Sequence, residues 1–129
     1  MRTGSRRLHA GGVDARTTLG RHGEELAANH LRSQGFTVIE QNWRCSAGEL
    51  DIIARSGRRF VFVEVKTRRS TRFGHPLEAI TREKALRLRA LARAWMRERD
   101  ASGPIRIDAV GILLNGSTVD RLDHVEGIA

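Results

Sequence analysis

Apolar positions recur along this chain with two periods, one typical of helices and one typical of strands. The helical period runs from Thr18 to Ser33 and predicts a first helix that Gly35 ends. A second helical stretch, from Thr81 to Asp100, has a wide apolar face and ends before Gly103-Pro104. That second apolar face consists of Ala85, Leu88, Leu91, Ala92 and Trp95.

The remaining apolar runs are short and bounded by turn residues, as in β-strands. They predict strands at Phe36–Asn42, Glu49–Arg55, Arg59–Thr67, Ile105–Leu114 and Thr118–Val125. The order α-β-β-β-α-β-β predicts a mixed α/β fold in which helices pack on a central sheet. A polar, arginine-rich loop, Arg68–Pro76, follows the third strand.

Residues 1–16 differ from the rest because they are rich in Arg, Gly, Ser and Thr and have no apolar period. They are predicted to be a disordered basic arm, and a single domain is expected over residues 17–129. The apolar content of 40% fits a globular domain, and no apolar run approaches the length of a membrane span. The N-terminus lacks the apolar stretch of a secretory signal, and the single cysteine, Cys45, favours a reducing compartment. A cytoplasmic location without membrane contact is therefore expected.

The chain is strongly basic, with a formal net charge of +8. This excess favours nucleic acid or another polyanion as a partner, although a solvated basic surface in an arginine-rich proteome also accounts for it. Among the 23 basic residues only Lys66 and Lys84 are lysines. Lysine is a compact charge with a tunable pKa, so these positions are candidates for an amine with a specific role.

Two neighbouring strands place acidic residues and a lysine on one side of the predicted sheet. Glu64 and Lys66 are two residues apart and therefore project from the same face. A two-residue turn at Gly57-Arg58 fixes the register of the hairpin by pairing Ser56 with Arg59. This register sets Asp51 opposite Glu64, Glu49 opposite Lys66 and Leu50 opposite Val65, with Leu50, Ile52 and Ala54 on one apolar face.

Opposed carboxylates repel each other, and a cation between them removes that cost. Mg²⁺ typically takes one or two carboxylates, keeps several waters and binds phosphate oxygens. The charge of Lys66 would stabilise a metal-bound hydroxide or the charge that develops on a phosphate under attack. A simple ion pair between Glu49 and Lys66 on a solvated face is the alternative. The apolar run around Glu64 favours the metal site, since a carboxylate in a covered strand needs a partner.

Helix phasing adds a third carboxylate, because Glu24 lies at the margin of the first helix's apolar face while Glu25 points away. Gly20 and Gly23 are expected to allow close packing at the start of that helix. Asp108 alternates with apolar neighbours and is expected to order a nearby arginine rather than bind metal. The five histidines show no metal-ligand spacing.

Basic residues surround the candidate site in the sequence. Arg68, Arg69 and Arg72 either hold phosphates that flank the site or are solvated loop residues. Lys84 either reaches the acidic site or a phosphate, or extends its stem along the apolar edge of its helix. The second helix also carries a stripe that fits both a DNA-backbone track and a solvated outer face: Arg82, Arg89, Arg93 and Arg97.

Several motifs, taken together, resemble a known family over residues 19–126. They are Gly20-x-x-Gly23-Glu24, Gly35-Phe36, Asn42-Trp43-Arg44, Gly48-Glu49-Leu50-Asp51, Phe62-Val63-Glu64-Val65-Lys66-x-Arg68, Phe73-Gly74, Lys84 and Arg106-x-Asp108. An aspartate followed by Glu-x-Lys on the next strand is similar to the PD-(D/E)xK nuclease superfamily, which includes archaeal Holliday-junction resolvases. The closer resemblance is to the YraN-type family of small bacterial proteins.

This resemblance implies a restriction-endonuclease-like fold with a mixed central sheet flanked by helices. It implies Asp51 and Glu64 as catalytic metal ligands, Lys66 as the catalytic lysine and Glu49 and Lys84 as auxiliary residues. The Val65 carbonyl would be a third ligand and Glu24 a ligand acting through water, while Leu50 stands where the superfamily has proline.

The reaction that the resemblance implies is hydrolysis of DNA phosphodiesters with Mg²⁺ or Mn²⁺, on branched or otherwise structured DNA. Some superfamily members keep the fold without cleaving. The alternative is therefore a nucleic-acid-binding module with an inactive site, or an accessory protein in DNA repair, recombination or uptake. Junction-cutting relatives also imply a homodimer, although no segment of the sequence indicates an interface.

Overall fold

The computed structural model describes residues 15–72 and 74–129, which form two α-helices, one 3₁₀ helix and five strands. In chain order these are α1 (Ala15–Ser33), β1 (Thr37–Cys45), β2 (Gly48–Ser56), β3 (Arg59–Arg68), the 3₁₀ helix (Pro76–Ala79), α2 (Arg82–Glu98), β4 (Ile105–Asn115) and β5 (Thr118–Val125). The predicted order α-β-β-β-α-β-β is confirmed, and the 3₁₀ helix is an addition to it. The predicted arm lies outside the described residues, apart from the two residues that begin α1. None of the described helices is long and apolar enough to cross a membrane.

The five strands form one mixed sheet in the order β1-β2-β3-β4-β5. Neighbouring strands are antiparallel except for β3 and β4, which run parallel. A parallel pair requires a crossover connection, which the arginine-rich loop, the 3₁₀ helix and α2 provide. Because β4 pairs Gly111 with Lys66 and Ile105 with Phe60, α2 runs back along the sheet from the Lys66 end to the Phe60 end.

Helices cover both faces of the sheet, and each face has its own apolar core. α1 contributes Ala27, Ala28 and Leu31 to one core, with Ile52, Val61, Val63, Val65, Val110, Ile112 and Leu114 of the sheet. α2 contributes Leu88, Leu91, Ala92, Trp95 and Met96 to the other, with Trp43, Leu50, Ile53, Phe62 and Ile107. All five residues of the predicted apolar face of α2 are buried, and Met96 joins them.

Glycine-dependent geometry ends α1 where the sequence predicts. Gly35 has a φ of 94°, a left-handed conformation that glycine adopts without steric cost. The N–H of Phe36 donates to the carbonyl of Leu31 at 3.0 Å, and the N–H of Gly35 donates to the carbonyl of Arg32 at 3.0 Å. These two bonds form a Schellman motif. They turn the chain directly into β1 and place Phe36 against the α1 core.

The β2–β3 hairpin has the predicted register near its turn but departs from the prediction further along. Ser56 pairs with Arg59, and the regular pairing continues to Ile52 with Val63, where the ladder ends. The expectation that Leu50 shares a face with Ile52 is wrong, because Leu50 packs in the α2 core and Ile52 in the α1 core. The change of face falls at Asp51, so the backbone pairing predicted beyond Ile52 does not form.

Candidate active site

Asp51 lies where the β2–β3 ladder ends, and its side chain takes the place of the next backbone contact. The Oδ2 atom of Asp51 accepts a hydrogen bond from the N–H of Val65 at 2.9 Å. On β1 the matching position is Asn42, which has a left-handed φ of 57° and no β2 partner in the ladder. A non-glycine residue held in this conformation within a strand marks local strain, of the kind that clusters at functional sites. The β1–β2 pairing is therefore interrupted at Asn42 and Asp51 and resumes on either side.

Glu64 lies beside Asp51, and their side chains interact directly. Burial and the adjacent charge of Glu64 raise the pKa of Asp51 to about 9, despite the opposing hydrogen bond from Val65. The charge of Glu24 adds to this rise in the pKa of Asp51. A shared proton or a cation would relieve the repulsion between the side chains of Asp51 and Glu64.

The first helix brings Glu24 to the same carboxylates, while Glu25 stays exposed, in agreement with the helix phasing. Burial raises the pKa of Glu24, and so do the charges of Glu49 and Glu64. A side-chain hydrogen bond with Asn42 acts in the opposite direction and lowers the pKa of Glu24. The strained residue of β1 thus also holds the carboxylate of α1.

Lys66 pairs with Glu64 and not with the residue that the hairpin register suggested. The Nζ atom of Lys66 lies 3.6 Å from Oε2 of Glu64, and the two side chains are 31% and 17% exposed. Glu49 instead faces Arg44 across β1 and β2, with 3.6 Å between Nε and Oε2. Glu49 and Lys66 therefore do not form the simple ion pair that was the alternative to a metal site. The amine of Lys66 remains next to Glu64 and partly open to solvent.

Close packing at Gly23 positions Glu24, the next residue along α1. A Cβ atom at Gly23 would lie 1.8 Å from Oγ1 of Thr67, which follows Lys66 on β3. A Cβ atom at Gly20 would meet nothing within 4 Å. The predicted packing role therefore holds for Gly23 and fails for Gly20.

Substitution of Gly23 by alanine is expected to lower the free energy of unfolding by about 1–3 kcal/mol, because α1 must move away from β3. Thermal unfolding measures this change. Gly20→Ala is the matched control, and it is expected to be neutral or to stabilise by up to about 1 kcal/mol because alanine is the better helix former. Equal destabilisation by the two substitutions would contradict the packing argument.

β3 continues two residues beyond Lys66 and ends at Arg68, so Arg68, predicted to begin the arginine-rich loop, belongs to the strand and the loop follows it. Arg68 is half-buried, whereas Arg69 and Arg72 are exposed. The far end of this loop is fixed by His75, whose Nδ1 accepts the N–H of Leu77 at 3.1 Å. The Nε2 atom of His75 lies 2.8 Å from Oδ2 of Asp123 on β5. The loop is thus anchored by β3 at one end and by His75 at the other. Its arginines come directly after Glu64 and Lys66 in the sequence.

Among the described residues, Lys84 makes no ion pair with the acidic residues Asp51 and Glu64. Lys84 is exposed in the first turn of α2, and its backbone N–H donates to Oγ1 of Thr81 at 3.2 Å as part of the helix cap. In the described part of the chain its amine forms no ion pair with any acidic side chain. Its auxiliary role stays a prediction.

A second cluster with metal-ligand chemistry, which the sequence did not suggest, joins β4 to β5. Asp108, His124 and Glu126 have ligand atoms within 4.8 Å of one another, so they could hold a metal ion. Asp108 is fully buried and already accepts hydrogen bonds from Arg106 at 2.8 and 2.9 Å. The pairing of Val110 with His124 produces this cluster, and no spacing in the sequence signals it.

The Asp108 carboxylate is largely satisfied without a metal. His124 lies 2.8 Å from its Oδ2 atom, and the N–H of Gly127 donates to its Oδ1 atom at 3.0 Å. Burial opposes ionisation, but the hydrogen bonds from His124 and Arg106 prevail and lower the pKa of Asp108. The guanidinium of Arg106 therefore neutralises the charge of Asp108, and the expectation that Asp108 orders a nearby arginine is confirmed.

Comparison with known proteins places these residues in a family. Residues 23–112 match the model of the uncharacterised protein family UPF0102. A UPF0102 protein of Beutenbergia cavernae is 48% identical over 115 residues, which cover 88% of this chain and 98% of the relative. A UPF0102 protein of Leifsonia xyli is 51% identical over 111 residues, covering 85% and 94% of the two chains. One of Streptomyces griseus is 48% identical over 119 residues, covering 91% and 100%. The chain therefore belongs to the UPF0102 family, whose function is uncharacterised.

Proposed function

We propose that this protein is a metal-dependent endonuclease that hydrolyses DNA phosphodiesters with Mg²⁺ or Mn²⁺. The observation that carries the proposal is the meeting of Asp51, Glu64 and Lys66 where the β2–β3 ladder opens. Two carboxylates and an amine in this order match the PD-(D/E)xK pattern that the sequence resembles. The side chains of Glu64 and Lys66 are partly open to solvent.

The donor set fits a hard divalent cation. Asp51 and Glu64 offer carboxylate oxygens, and their repulsion, which contributes to the raised pKa of Asp51, falls when a cation joins them. Among the described residues Glu24 does not form a tight three-ligand group with this pair, so it suits a ligand that acts through water. The Val65 carbonyl is the further candidate oxygen. When bound, such a cation acidifies a water molecule and polarises a phosphate oxygen.

The chain's own residues supply positioning and charge. The hydrogen bond from the Val65 N–H holds the carboxylate of Asp51 in place. Lys66 brings a positive charge to the edge of the acidic pair, where negative charge develops on the phosphate as water attacks phosphorus and the P–O bond to the leaving group breaks. Arg68, Arg69 and Arg72 are suited to grip phosphates that flank the scissile bond. The expected homodimer remains a separate prediction, which the solution mass would test.

The deciding experiment is a cleavage assay on branched, nicked, single-stranded and duplex DNA with Mg²⁺ or Mn²⁺. Wild-type protein is expected to cut at least one of these substrates, and Glu64→Ala and Lys66→Ala are expected not to. DNA binding without metal-dependent cleavage on any substrate would favour the binding module or accessory protein instead. Cleavage that survives in both variants would show that the activity comes from elsewhere.

A further inference from the structure

We propose that the outer face of α2 and the tip of the β2–β3 hairpin form a second nucleic-acid-binding surface that holds the backbone of a duplex. The surface, called here the arginine track, consists of Arg82, Arg89, Arg93 and Arg97 on α2 with Arg55 and Arg58 on the hairpin. The nature of its ligand rests on the proposed function, but the binding itself does not require cleavage.

The charges of the arginine track are available to a ligand. Arg82, Arg93 and Arg97 are exposed, and no carboxylate within residues 15–72 and 74–129 forms an ion pair with them. Arg89 is half-buried and donates to the carbonyl oxygen of Ala129 at 3.1 Å. A nearby carboxylate, that of Glu98, instead accepts the indole N–H of Trp43 at 2.9 Å. Such unneutralised charges in a row favour a polyanion.

The two parts of the arginine track are continuous at the Phe60 end of the sheet. The N–H of Phe60 donates to the carbonyl of Pro104 at 2.9 Å, and a Cβ atom at Gly103 would lie 3.3 Å from the carbonyl oxygen of Arg58. Gly103 also lines a shallow cleft together with Arg93 and Arg97. The hairpin tip therefore lies beside the end of the helical stripe.

The length of the helical stripe suits a regular phosphate backbone. Arg82 and Arg97 are separated by about 22 Å along α2, at 1.5 Å per residue. That distance corresponds to about six phosphates on one strand of B-form DNA, at 3.4 Å each. Because α2 starts at the Lys66 end of the sheet and ends at the Phe60 end, a duplex along it would extend away from the acidic centre.

Among the described residues no exposed aromatic ring offers a stacking platform, and this favours a duplex over a single strand. Proteins that hold single strands stack the bases on exposed aromatic rings. In residues 15–72 and 74–129 no aromatic ring is exposed, since Phe36 and Phe60 are half-buried and Trp43, Phe62 and Trp95 are buried. The described surface thus offers charge without stacking, which suits recognition of the backbone alone.

An anionic membrane is the less suitable partner for the same charges. Helices that lie on membranes insert a broad apolar face, whereas the apolar face of α2 is buried in the core. Leu86, which is 54% exposed, is the one large apolar side chain that the described outer face of α2 offers. A duplex needs no apolar insertion.

The test measures affinity for a short duplex and a single strand of equal length, without divalent metal, between about 50 and 200 mM salt. The track variant is Arg93→Gln with Arg97→Gln. The matched control, Arg32→Gln with Arg87→Gln, removes the same charge from exposed positions on α1 and on the part of α2 outside the track. The track variant is expected to lose at least tenfold in duplex affinity, and its salt slope should fall by about 1.8 because two phosphate contacts are lost. The control should stay within about threefold of wild type.

Three results would overturn the proposal: equal loss in both variants, tighter binding of the single strand by wild type, or displacement of the duplex by anionic vesicles at matched charge. Circular dichroism and melting temperature establish that each variant is folded. Because no metal is present, a protein that never cleaves DNA can still pass this test. A protein that cleaves DNA can equally fail it, so the two proposals are judged separately.

Discussion

Replacement of Asp51 by asparagine is expected to stabilise the metal-free protein at pH 8 and to abolish its response to divalent cations. Burial and the neighbouring charge of Glu64 raise the pKa of Asp51 to about 9, so the ionised carboxylate is unfavourable in the folded state. Asparagine keeps an oxygen that accepts the Val65 N–H and adds a donor for Glu64. The substitution thus removes the repulsion and leaves the local hydrogen bonds in place.

The pH dependence of the folding stability follows from the direction in which the pKa of Asp51 shifts on folding. The pKa of Asp51 rises in the folded protein from an ordinary value of 3.8 to about 9, so the folded state binds the proton more tightly than the unfolded state does. The stabilisation is fully present below the ordinary pKa and is lost as the pH rises toward about 9. The raised pKa of Glu24 acts in the same sense. The lowered pKa of Asp108 acts in the opposite sense, at acidic pH.

Melting temperatures measured from pH 5 to 9 without metal therefore separate these contributions. Wild type should lose stability as the pH rises, and Asp51→Asn should lose much less. At pH 8 the variant should melt at least about 4 °C higher, which corresponds to roughly 1 kcal/mol for a domain of this size. Addition of Mg²⁺ or Mn²⁺ should raise the melting temperature of wild type and leave that of Asp51→Asn unchanged.

Two further variants show whether the effect belongs to this site. Glu25→Gln removes the exposed carboxylate next to Glu24 in the chain, and it should keep both the pH trend and the metal response. Glu126→Gln removes an exposed member of the second cluster. If Asp51→Asn keeps the metal response and Glu126→Gln loses it, the cation binds beside Asp108 and the proposed site is wrong.

Local signals account for the parts of the fold that the sequence predicts well. The turn at Gly57-Arg58 fixes the start of the β2–β3 ladder, and Gly35 fixes the end of α1 through two hydrogen bonds. The helix period alone separates half-buried Glu24 from exposed Glu25. Each of these features depends on residues that are close in the chain, where backbone preference and side-chain period act directly.

The features that the sequence missed depend on contacts between distant segments. The change of face at Asp51 accompanies the left-handed backbone of Asn42 on another strand, and strict alternation cannot anticipate it. The cluster of Asp108 with His124 requires the β4–β5 register, which shifts between Leu113 and Leu114. A β-bulge of this kind changes which residues face each other without leaving a clear mark in the sequence.

Replacement of Lys66 by methionine is expected to lower the rate of metal-dependent cleavage by about 10²–10³-fold, the usual cost of removing one group that stabilises the transition-state charge. Methionine keeps most of the side-chain length, so the fold and the apolar contacts of β3 should persist. The carboxylates of Asp51 and Glu64 remain, so the melting-temperature response to Mg²⁺ should persist as well. Cleavage and metal binding would then be separated in one variant.

An exposed arginine of α2 that lies outside the arginine track provides the control for this prediction. Arg87→Met removes one positive charge from an exposed position on α2, and its cleavage rate should stay within about threefold of wild type. If Arg87→Met lowers cleavage as much as Lys66→Met does, general electrostatic attraction of DNA explains the loss. Lys66→Arg separates charge from shape, because arginine keeps the charge but spreads it over a planar fork. Partial recovery by Lys66→Arg would indicate that charge next to Glu64 is the main requirement, and no recovery would indicate that the compact amine is needed.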